Sequence, residues 1–191
     1  MVSKRVSIEG EFFSIEANTI LEVKKDTLLI IERDIELDSY LVERILELLS
    51  KYNLRELAYI TIEKNIESNL LALFNGYYNG KRYRNTIRIN SKETKDIFTS
   101  LAHELGHYIV FLSRREDYYY KKFKAIRTKE RASLLTKLIN TFNQDKRILE
   151  DIAISFSLYH TRREEFKNLL PLRFKAIEEL EKEALLLNGE D

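Results

Sequence analysis

Two of the chain's three histidines, His103 and His107, stand four residues apart with Glu104 beside the first. On an α-helix a four-residue step returns side chains to one face about one turn apart, whereas the adjacent position lies roughly 100° round the axis. Two neutral imidazoles so placed can share one metal ion, and zinc takes such nitrogens at about 2.0–2.1 Å. A carboxylate beside them can accept a proton from a metal-activated water. The segment His103-Glu104-Leu105-Gly106-His107 therefore has the makings of a hydrolytic zinc centre. The competing reading is a packing glycine between two core histidines.

That chemistry requires a helix, and the flanking residues supply one. Thr86-Ile87-Arg88-Ile89-Asn90 alternates like a strand, Ser91 suits an N-cap, and Glu93 would sit in the first turn, near the positive end of the helix dipole. Ile97, Phe98, Leu101, Leu105, Tyr108, Ile109 and Leu112 form an apolar stripe, with His103 and His107 towards another side. Gly106 costs about 1 kcal/mol relative to alanine inside a helix, which calls for a reason such as the close approach of another segment.

A catalytic zinc usually takes three protein ligands and leaves a fourth position open. Cysteine is absent, so the third ligand is His160 or a carboxylate. Residues 148 to 159 read as a mainly apolar helix interrupted by Glu150 and Asp151. Acids on such a helix need a partner, either a metal or an arginine such as Arg147 or Arg163.

The motif followed by Glu150, Ala153 and Phe156 resembles the gluzincin pattern, with HExxH on one helix and Glu-x-x-Ala-x-x-Phe on a second. Ile89-Asn90-Ser91 through Phe98-Thr99-Ser100-Leu101-Ala102 into the motif is similar to the ImmA/IrrE metallopeptidases, over about residues 70 to 112. From Glu150 through Tyr159-His160 to Phe166, Pro171, Phe174 and Ile177 the chain looks more like the end of the anthrax lethal factor-like metallopeptidase domain. There a helix bearing the glutamate ligand leads through a Pro-containing turn to a last helix. The resemblance implies a zincin-like fold, Zn²⁺ held by His103, His107 and Glu150, and Glu104 as general base. Asp151 and His160 rank below Glu150, because Ala153 and Phe156 fit the pattern only when counted from Glu150.

The implied activity is that of a zinc metalloendopeptidase acting on a protein or peptide substrate, with Glu104 taking the proton of the attacking water and returning it to the leaving amine. The lethal factor-like proteins carry a tyrosine shortly before the glutamate ligand that supports the oxyanion, but residues 141 to 147 contain none. Tyr118, Tyr119, Tyr120 and Tyr159 are the remaining candidates. Leu71 to Gly80 is the candidate edge strand for β-addition of substrate, with a turn at Asn79-Gly80.

The 191 residues suffice for one domain with a substantial core, with residues 1 to 35 as an N-terminal β elaboration. Strands are expected at Val6 to Glu9, Phe12 to Glu16, Ile20 to Val23, Leu28 to Glu32 and Leu57 to Ile62. Between the last two, a helix capped by Asp38 should run to about Tyr52 on a stripe of Leu41, Val42, Ile45, Leu46 and Leu49. Strands followed by helices give an α+β class: a small twisted mixed sheet, the HExxH helix and a C-terminal helical subdomain. A composition of 44% hydrophobic and 33% charged residues excludes a disordered chain. The start lacks a signal-peptide core and no run is long enough to span a bilayer, so the expectation is cytoplasmic, with no membrane partner. Residues 114 to 137 carry nine Lys or Arg against three acids. A net charge of +1 argues against a dedicated nucleic-acid binder, and the acidic C-terminal residues can lie against that stretch. The alternatives to a peptidase are a zinc-stabilised inactive interaction or regulatory module and, behind it, a nucleic-acid-binding regulator.

Overall fold

Runs of β-branched residues build a single mixed sheet, and the amphipathic segments around and after it build helices. The computed structural model describes residues 4–7, 14–24, 26–64, 66, 72–75, 85–94, 96–130 and 144–187. The strands are β1 (Lys4–Ser7), β2 (Ser14–Lys24), β3 (Thr27–Glu32), β4 (Leu57–Glu63), β5 (Ala72–Asn75) and β6 (Asn85–Asn90), in the order β1-β2-β3-β4-β6-β5. β3, β4 and β6 run parallel, and the remaining pairings are antiparallel. Across the parallel strands Leu29, Ile60 and Ile87 stand in one row and Ile31, Ile62 and Ile89 in the next, all buried. Central parallel strands covered on both faces favour such branched apolar residues. On the other face Arg88 holds Glu63 through two hydrogen bonds of 2.8 and 2.6 Å, so the buried carboxylate is paired.

Phe12 to Glu16 and Ile20 to Val23, expected as separate strands, belong to a single one as far as they are described. Register shifts at Ala17/Thr19 and Glu22/Lys24 let β2 continue through the irregular stretch. The edge strand expected within Leu71 to Gly80 is β5, at the end of the sheet; Asn79-Gly80 lies outside the described residues. Helix α1 (Ser39–Ser50) starts as expected, with the Asp38 carboxylate accepting the Leu41 N–H at 2.8 Å. Ile45, Leu48 and Leu49 are its buried face, while Leu41, Val42 and Leu46 are only half-buried.

Helix α2 (Ile97–Leu112) begins later than Ser91 and Glu93 suggested. The Asn90 side chain accepts the N–H groups of Lys92 and Glu93, which closes a turn after β6 instead of a helix. Asp96 then caps α2, accepting the Thr99 N–H at 3.0 Å. Helices α3 (Glu116–Lys129), α4 (Gln144–Thr161), α5 (Arg163–Leu169) and α6 (Pro171–Leu186) follow. Pro171 occupies the first position of α6, where its missing N–H costs nothing.

Together these elements make the chain α+β. It divides into two compact units, residues 1–101 and 102–191. Among its described residues the second has helices joined by short turns, and it contains the whole His103–His107 segment. No helix among the described residues is long and apolar enough to cross a membrane.

Candidate metal centre

The second unit builds its site from α2 and α4. Leu101, Leu105, Tyr108, Ile109 and Leu112 are buried, which leaves His103 and His107 half-buried on another side of α2 with their rings 5.0 Å apart. From α4 the Glu150 carboxylate meets both: His103 Nε2 lies 3.2 Å from Oε2 and His107 Nε2 lies 3.4 Å from Oε1. One ligand atom from each of the three residues lies within 4.8 Å of the others, so this group could hold a metal.

Local sequence explains why α4 comes so close. Gly106, between the histidines, faces Ala153 and Phe156; a Cβ there would lie 3.0 Å from Phe156 Cβ and 3.1 Å from Ala153 Cα. Steps of three keep Glu150, Ala153 and Phe156 on one side of α4. The glycine expected to permit a close approach does so, and the Ala and Phe of the spacing pattern are the residues that approach.

The donor chemistry and the separations both suit a divalent cation. Two imidazole nitrogens and one carboxylate oxygen, without thiolate, form a set that zinc accepts. Bonds of about 2.0–2.1 Å in a tetrahedron put neighbouring ligand atoms about 3.3–3.4 Å apart. The ligand atoms, one from each residue, lie within 4.8 Å of one another, and each imidazole Nε2 faces a different oxygen of Glu150, at 3.2 and 3.4 Å, a spacing of the same order as that edge. The three side chains retain 22, 21 and 27% of their exposure, so small molecules can reach the site. Burial alone would raise the Glu150 carboxyl, yet hydrogen bonds from His103 and His107 outweigh it and hold the group well below the usual carboxylate range. Glu150 is therefore ionised at neutral pH, as a ligand must be.

Glu104 lies one residue after His103 and is buried, 7% exposed. The fallback ligands are occupied elsewhere. Asp151 is fully buried and gripped by Arg173, not by Arg163, which pairs with Glu178 at 3.7 Å; the side chain of Arg147 is outside the described residues. His160 packs on Phe156 and Tyr159 and lies 3.8 Å from Glu181. Among the oxyanion candidates, Tyr118 donates to Glu179, Tyr119 to Glu183 and Tyr159 to Glu181. The basic stretch is partly neutralised in the same way, Arg115 by Glu183 and Lys122 by Glu179, so α6 does lie against it; Glu190 and Asp191 fall outside the described residues.

Arg173 is the residue that the sequence reading passed over. Its signal was an arginine on the apolar stripe that continues through Ile177, Leu180 and Ala184, a position that demands a buried counter-charge. No protein-family model, curated protein or solved structure matches the chain.

Proposed function

We propose that the protein is a zinc-dependent endopeptidase of gluzincin type on a zincin-like fold. The observation that carries this reading is the convergence of His103, His107 and Glu150, whose ligand atoms, one from each, lie within 4.8 Å of one another. His103 and His107 supply neutral nitrogens, and Glu150 supplies an anionic oxygen that offsets part of a divalent charge. When bound, zinc provides a Lewis acid that makes water acidic near neutral pH and polarises a peptide carbonyl. Glu104 takes the proton of the attacking water and returns it to the departing amine, which needs a carboxylate ionised at the start of the cycle. An extended peptide is the substrate class.

One observation favours the second reading, a zinc-held module without turnover: the hydroxyls of Tyr118, Tyr119 and Tyr159 are committed to glutamates instead of a developing oxyanion. Glu104→Gln separates the two. In a peptidase this variant keeps its metal and loses about 10²–10⁴-fold in cleavage of an unbiased peptide mixture, while His103→Ala loses the metal. Zinc-loaded wild type that cleaves nothing in the mixture, or a Glu104→Gln protein that cleaves equally well, refutes the peptidase reading.

A further inference from the structure

Among the described residues of the second unit, the two most deeply buried charges lie outside the candidate ligand set, yet one is the sequence neighbour of Glu150. Asp151 is fully buried, Arg173 is 2% exposed, and they meet fork to fork, Nε to Oδ1 and Nη2 to Oδ2, both at 2.8 Å. The same guanidinium donates through Nη1 to the Glu130 carbonyl at 3.2 Å and to its carboxylate at 3.1 Å. That carboxylate in turn accepts the N–H groups of Leu172 and Arg173 in the first turn of α6, where the helix dipole favours an anion. Arg127 brings a second guanidinium within 3.8 Å of Asp151. The end of α3, the middle of α4 and the start of α6 are tied at one point.

A buried ion pair is weak evidence for stability, because desolvation offsets the attraction. What a planar two-point pair supplies is direction. Glu150 and Asp151 are consecutive on α4, so their side chains leave its axis about 100° apart. Holding Asp151 in one orientation fixes where Glu150 points. The contact of Ala153 and Phe156 with Gly106 limits how near α4 lies to the histidine helix, but a smooth apolar contact sets rotation weakly.

We propose that Arg173 is a positioning residue for the metal centre: through Asp151 it locks the rotation of α4 at which the Glu150 carboxylate meets His103 and His107. This rests on reading those three side chains as metal ligands, and the test keeps the two failures apart. Zinc affinity is measured on the full chain by chelator competition, and ligand geometry by the absorption spectrum of bound Co²⁺. Each variant is kept well below its unfolding temperature and checked for native circular dichroism.

Arg173→Lys keeps the cation but loses the fork, and Asp151→Asn keeps the shape but loses the charge. Both should bind zinc about ten- to a hundredfold more weakly than wild type and alter the Co²⁺ spectrum, as expected when a ligand's support is removed. Arg173→Met should weaken binding further than Arg173→Lys. If the single variants fail to fold, the paired replacement Asp151→Leu with Arg173→Met removes both charges together and decides the matter. Folded variants with wild-type affinity and spectrum overturn the positioning role, even if their unfolding midpoints fall. Wild type that binds neither metal, and so behaves like His103→Ala, overturns the ligand reading itself.

Discussion

Replacing Gly106 by alanine tests the close approach on which the site depends. The new Cβ would meet Phe156 Cβ at 3.0 Å, Ala153 Cα at 3.1 Å and Phe156 Cγ at 3.3 Å, against ordinary carbon contacts of about 3.5–4.0 Å. Two of those atoms are backbone Cα or the Cβ fixed to it, so no rotamer change relieves them; α2 and α4 must part by about half an ångström. Alanine returns about 1 kcal/mol of helix propensity, and overpacking costs about 1–3 kcal/mol, so the metal-free protein should lose about 0–2 kcal/mol. Metal binding should suffer more. The candidate ligands are divided between the two separating helices, and coordination distances tolerate only about 0.2 Å. Zinc affinity should fall about ten- to a hundredfold. Urea unfolding of the metal-free protein and chelator competition read the two effects separately. A variant about 1 kcal/mol more stable than wild type, with unchanged zinc affinity, would refute the close-contact reasoning.

Two further outcomes follow from particular contacts. Asp38→Ala removes the carboxylate that accepts the Leu41 N–H and should cost about 1 kcal/mol in urea unfolding; a loss below about 0.3 kcal/mol would mean that the cap is replaced by solvent. Burial and the hydrogen bond to Glu181 push the Tyr159 phenol up to about 12 from an ordinary 10.0. A proton held more tightly in the folded state stabilises fully below pH 10, and that contribution is lost as pH rises from 10 to 12. Tyr159→Phe should therefore show a shallower fall of melting temperature than wild type across that window, and parallel curves would count against the shift.

The candidate site was legible because each half of it is a local helical pattern. His103 and His107 obey a four-residue step, and Glu150, Ala153 and Phe156 obey steps of three, so each helix declares its own face. That the two faces meet is less visible, but Gly106 opposite Ala153 matches small to small where helices touch. The start of α2 was misplaced because Ser91 and Asp96 both satisfy the capping rule, and the Asn90 side chain decides between them by closing a turn first. In β2 the period-two pattern breaks where the strand takes register shifts, so one strand read as two. The partner of Asp151 lies 22 residues away among several arginines, and no local period distinguishes Arg173 from Arg163.

The adjacent acids show how one helix separates two chemical duties. A carboxylate that holds a catalytic metal sits beside an open position, and Glu150, the candidate ligand, keeps 27% of its side-chain exposure while facing two imidazole nitrogens. A carboxylate with no exposure must have both oxygens satisfied by protein, and Asp151 has them satisfied by one guanidinium. Removing either partner of that buried pair would strand a charge in the core. The two duties follow from position: consecutive side chains leave α4 about 100° apart, so position 150 faces the histidines while position 151 faces Arg173. The double exchange Glu150→Asp with Asp151→Glu keeps both charges on their faces and changes only their reach, so weaker zinc binding by a folded variant would show that side-chain length as well as direction sets the candidate centre.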